Sequence, residues 1–167
     1  QLGMEGKEAT IGLITLQHKD SVSLQFNKVD IMTVSNQYEL ELTEQEAEVI
    51  ANHPGKVPTM LRITREAKYK SQQEGRMDTT FPEDAFRHIY WSYHLTRAMG
   101  PDFAKQVTDA HETAPGNTQK ERLMDYHNNE VGRNLAANSY SDEELKTMVL
   151  NSNSIIRNPN SVRISQK

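Results

Sequence analysis

Residues 83–100 read EDAFRHIYWSYHLTRAMG, and the fold turns on their periodicity. Phe86, Ile89, Tyr90 and Tyr93 recur at i, i+3, i+4 and i+7, the spacing of one buried helix face. Asp84, His88, Trp91 and Leu95 make a second stripe at i, i+4, i+7 and i+11. A helix with two inward faces is wrapped by its neighbours, so this one is expected at the centre of a bundle. Pro82 suits its first turn, Glu83 and Asp84 suit its positive end, and Gly100 stops it.

Toward the C-terminus, Pro101 opens a helix that reaches about residue 113 and breaks at Ala114-Pro115-Gly116-Asn117. The next is expected over 118–138, with Met124, His127, Asn128, Val131 and Leu135 on its inward stripe. Gly132 in mid-helix costs about 1 kcal/mol against alanine, which points to close packing or the approach of a ligand. Ser141 and Glu144 form a capping box for a last helix, and residues 153–167 read as an irregular tail.

Toward the N-terminus, the polar run 71–80 with its Gly75 reads as a loop. A helix starting at Pro58 precedes it, and another is capped by Thr43 and Glu46 and stopped by His53-Pro54-Gly55. Over residues 10–42 the period changes toward two: Ile11 to Leu16, then Val22, Leu24 and Phe26, then Val29 to Val34, then Tyr38, Leu40 and Leu42. The expected fold is mainly α, a compact bundle of about six helices with a small N-terminal antiparallel β segment. Three parts are expected: a β-rich segment over 1–42, the helical domain over 43–152, and the tail.

Composition narrows the chemistry. Hydrophobic residues are 35% of the 167, so the core is modest and shared with polar groups. A net charge of -4 gives no basic field for phosphates, so nucleic acid is not favoured as a partner. The absence of cysteine excludes disulfides, thiolate metal sites and cysteine nucleophiles. Any metal falls to His, Asp, Glu, Asn or water. No apolar run approaches the roughly 20 residues of a membrane helix. The chain opens on Gln1, which reads as a processed piece or fragment of a longer product.

Three of the six histidines stand beside acids or amides between residues 84 and 133. His88 lies one turn after Asp84, which is expected to orient the ring and raise its pKa for acid–base work. His111 points roughly 160° from Asp109 around its helix, so no single helix presents a complete site. His127 is expected inward, and Asp125, two residues earlier, is not on its face. The candidate catalytic residues are therefore Asp84, His88, His111, Glu112, Asp125 and His127. His111, Glu112, Asp125 and His127 could together hold a divalent metal ion. Arg87 and Arg133 would steady negative charge, with Trp91, Asn128 and Asn129 at the substrate; each has a plainer role in ion pairing or in the core. No HExxH, P-loop, GxSxG or dinucleotide-binding glycine pattern is present.

Three motifs occur in order: Asp84-Ala85-x-Arg87-His88, then Ala110-His111-Glu112, then Asp125-x-His127-Asn128-Asn129-x-x-Gly132-Arg133. Together with the lead-in LTEQEAEVIANHP, they resemble a bacterial domain family of unknown function. That family is found at the C-termini of secreted, cell-surface and phage-associated proteins, polymorphic toxins among them. The resemblance covers about residues 42–150. It implies an exported effector or toxin domain, carried by a secretion carrier or larger parent chain and neutralised by a cognate immunity protein. The expected activity is hydrolysis of a cell-envelope substrate, peptidoglycan or phospholipid, in the periplasm of a target cell. A metal-dependent nuclease and a non-enzymatic interaction domain stand as alternatives.

Overall fold

The computed structural model describes residues 27–163. Within them the chain forms seven α-helices: α1 (Lys28–Gln37), α2 (Glu44–Ala51), α3 (Val57–Met77), α4 (Glu83–Met99), α5 (Pro101–His111), α6 (Gln119–Leu135) and α7 (Asp142–Asn151). Short 3₁₀ turns lie at Pro54–Lys56 and Pro159–Ser161. Among the described residues there is no strand, and no helix is long and apolar enough to cross a membrane. The strands expected over 11–16 and 22–26 lie outside the described residues.

The central helix is α4, packed against α3, α5, α6 and α7. Phe86, Ile89, Tyr90 and Tyr93 of one stripe and His88, Trp91 and Leu95 of the other are buried, while Asp84 at the start of the second is half-exposed. It meets α6 at very short range, because a Cβ on Gly132 would lie 2.7 Å from the Ile89 carbonyl oxygen and 1.9 Å from Ser92 Oγ. Close helix packing is therefore what Gly132 provides.

Two expectations are corrected. Residues 29–34 are helical, not a strand. Asn27 caps α1 by accepting from the Asp30 amide at 2.8 Å, and Asp30 reaches back to the Asn27 amide at 3.3 Å. Ile31 and Val34, one turn apart, are buried while Val29 is 69% exposed, which is a helical phase. The polar run 71–80 is also no loop until Met77. Gln, Glu, Arg and Met are good helix formers, and one glycine is a tolerable cost. Pairing with α7 holds this end down: Glu74 meets Lys146 at 2.7 Å, and Lys70 meets Asp142.

Leu40 and Leu42 are buried as the alternation implied, but without strand partners among the described residues. Glu39 and Glu41 between them have φ of 52° and 61°, a left-handed conformation that no ladder accommodates. One core runs past the expected divisions at 42 and 152, joining Ile31 and Leu40 to Leu145 and Ile155. The tail is held as well: Asn128 donates from Nδ2 to the Ile156 carbonyl at 2.8 Å and accepts from the Ile156 amide at 3.0 Å.

Candidate functional site

The capping box that starts α2 also founds the site. Thr43 accepts from the Glu46 amide at 3.0 Å, and Glu46 Oε1 accepts from the Thr43 amide at 3.0 Å. Thr43 Oγ1 donates to the Ala110 carbonyl at 3.0 Å, which pins α2 to the end of α5. Glu46 is thereby fully buried, and His111 Nδ1 meets its Oε1 at 2.5 Å. Burial works to lower His111, but the Glu46 carboxylate outweighs it and raises the imidazole to about 9.

His88 comes from the middle of α4 and is 2% exposed. Its Nδ1 lies 2.8 Å from the Asp84 carbonyl oxygen, which only accepts, so Nδ1 carries the proton and Nε2 keeps its lone pair. The expected role of the Asp84 carboxylate is thus corrected. Its Oδ1 stands 3.5 Å from His88 Nδ1 and instead takes Arg87 at 2.6 Å. Nor is His88 raised: burial pushes it down to about 4, with Arg87 and His111 adding to the effect against the pull of Asp84. At neutral pH it is an uncharged base.

His88 Nε2 faces two carboxylates from other elements, Glu112 Oε2 at 3.7 Å and Asp125 Oδ2 at 3.6 Å. Glu112 sits at the C-terminal cap of α5, and Asn129 donates to its Oε2 at 2.6 Å. Burial raises both acids. Asp125 reaches about 8, helped by the neighbouring charges of Asp84 and Glu112 and by a proton shared with Asp84. Glu46 Oε2, Glu112 Oε1 and Asp125 Oδ1 are buried oxygens with no hydrogen-bond partner among the described residues. The His88 and His111 rings lie 6.0 Å apart, and the Trp91 ring meets His111 edge-on at 5.0 Å. A pocket of about 30 Å³, room for a water or two, reaches these rings past Leu40, Lys68, Arg87 and Trp91.

Six of the expected residues, Asp84, Arg87, His88, His111, Glu112 and Asp125, share this centre, with Trp91 on its wall and Asn129 behind Glu112. His127 does not join it, and its inward placement is corrected. The buried face of α6 is Met124, Asp125, Asn128, Asn129 and Gly132, so the stripe lies about one residue away from the expected one. The apolar pattern misled because the inward face of α6 is largely polar. His127 is exposed, with Nε2 on the Ser154 carbonyl at 2.5 Å. Asn128 holds the tail, and Arg133 donates to Thr108 Oγ1 at 2.7 Å, bracing α6 against α5. Glu46 was missed. A capping-box glutamate normally faces solvent, and nothing local in the sequence marks this one as buried.

The sequence pattern of a family described as a domain of unknown function (DUF6973) matches residues 47–157. The chain belongs to that family. Every residue of the centre except Glu46 falls inside the matched span. No curated protein and no solved structure matches the chain.

Proposed function

We propose that the domain is the hydrolase of a delivered bacterial effector and that it acts on the cell envelope. The observation that carries hydrolysis is the uncharged, buried His88 with its lone pair facing Glu112 and Asp125 beside a water-sized pocket. A water there meets the His88 imidazole, which itself faces Glu112 and Asp125, and two cationic groups, Arg87 and His111, near any developing negative charge. The pocket is too small for a substrate, so the scissile group would approach its mouth, where Lys68 and Arg87 flank Leu40 and Trp91. Cations beside apolar surface suit a phospholipid better than a neutral glycan. Secretion by a carrier and neutralisation by an immunity protein belong to the same proposal.

A second reading draws on the same residues. Asn128, Asn129 and Arg133 make structural hydrogen bonds, as they would in a non-enzymatic domain whose polar network fixes the fold. Expression in the bacterial cytoplasm and, separately, the periplasm divides the two. The hydrolase reading expects growth arrest on periplasmic delivery, relieved by Glu112→Gln without loss of the folded protein. Arrest in neither compartment would overturn it, and arrest only in the cytoplasm would move the substrate to nucleic acid.

A further inference from the structure

We propose that His88, His111 and Glu112 form a binding site for one divalent transition-metal ion. This deepens the hydrolase reading and rests on it for what the ion does, but not for whether it binds.

Four observations converge. A ring nitrogen of His88, one of His111 and a Glu112 oxygen lie within 4.8 Å of one another, and Asp84, His88 and Asp125 form a second such group sharing His88. The separations of 3.6 and 3.7 Å from His88 Nε2 to the two carboxylates are too long for hydrogen bonds. They are close to the roughly 3.4 Å that separates ligands around a tetrahedral ion with bonds of about 2.1 Å.

Both imidazoles are anchored through Nδ1, His88 on a backbone carbonyl and His111 on the Glu46 carboxylate. That is how proteins fix a ligating histidine: Nε2 of His88 is left as a donor, and binding would displace the proton from Nε2 of the His111 imidazolium. The third observation is the pair of orphaned oxygens, Glu112 Oε1 on a residue 1% exposed and Asp125 Oδ1 on one 6% exposed. Buried carboxylate oxygens without partners are costly, and a cation is the partner that satisfies several at once.

The fourth is charge. Glu46, Glu112 and Asp125 are buried close to one another with Asp84 at the half-exposed edge, and Arg87 and His111 are the cations interleaved among them. Two imidazoles with carboxylates select a zinc- or manganese-like ion over magnesium or calcium, which prefer all-oxygen shells. When bound, such an ion would polarise a water held in the adjoining pocket.

The test is isothermal titration of the full, metal-stripped chain with Zn²⁺ and with Mn²⁺, Mg²⁺ serving as the weak comparison. One ion per chain is expected. His111→Gln and Glu112→Gln should each weaken binding at least about 10-fold, and Glu46→Gln by about 10- to 100-fold through the His111 ring. His127→Gln, on the exposed face, should bind like wild type. Circular dichroism checks that each variant is folded, and His111→Asn replaces any that is not. No binding of Zn²⁺ or Mn²⁺, or binding lost with His127 and retained without His111 and Glu112, overturns the proposal. An ion bound without any hydrolysis would sink the hydrolase reading alone. Hydrolysis that survives chelation would sink the metal site alone.

Discussion

Glu46 and His111 stand 65 residues apart in the chain and meet at 2.5 Å, a fully buried carboxylate against a ring that lines the pocket. One residue thus ends a helix-capping motif and sets the orientation of an imidazole in the site. Its loss should register in both roles. Glu46→Ala strands the imidazolium and opens the capping box, so unfolding by urea should show a loss of about 2 to 4 kcal/mol. A loss under about 0.5 kcal/mol would mean the pair carries little.

Stability should fall on the alkaline side. His111 holds its proton up to about 9 in the folded chain, above its ordinary 6.5, so its contribution is complete below pH 6.5 and lost as pH rises toward 9. Asp125, at about 8 against an ordinary 3.8, likewise favours its protonated form, and its ionisation costs stability as pH climbs through that range. Melting of the metal-free protein should therefore drop by several degrees between pH 6.5 and 9. His111→Gln should flatten the drop, and an unchanged slope in that variant would contradict the assignment.

Gly132→Ala sets helix propensity against packing. Propensity alone predicts a gain of about 1 kcal/mol. The new Cβ would sit 2.7 Å from a backbone oxygen of α4, which cannot swing away as a side chain would. Packing should win, with a net loss of about 1 to 3 kcal/mol in urea unfolding. A melting temperature at or above that of wild type would show that α4 and α6 part easily.

Asn128→Ala should release the tail and spare the site. Both hydrogen bonds to Ile156 would go, at about 1 kcal/mol each. Amide exchange over residues 153–163 should speed up while α4 and α5 keep their protection. Faster exchange across α4 instead would place Asn128 in the central network.

The bundle was legible because its helices announce themselves: two apolar stripes on α4, capping boxes at Thr43 and Ser141, and Pro101 after Gly100. The Thr118–Glu121 box was equally present, and it starts α6 where the periodicity also placed it. Short apolar runs are where pattern fails. Val29 to Val34 fits either period, and its Asn27–Asp30 cap was the deciding signal. The site was legible as residue types and not as partners. Helical phase from apolar residues misplaced His127 because Asp125, Asn128 and Asn129 face inward, and Glu46 entered through a contact no local spacing encodes.

The central claim is that the cluster is kept for chemistry and not for stability, and Glu112→Gln tests it most directly. Glutamine can still accept from Asn129, while losing a charge that burial and the nearby Glu46 and Asp84 carboxylates disfavour. Measured together on purified protein, hydrolysis of phospholipid vesicles and isolated sacculi should fall at least about 100-fold. The melting temperature should hold or rise. Unchanged hydrolysis, or a variant that loses several kcal/mol while the wild type hydrolyses neither substrate, would contradict the account.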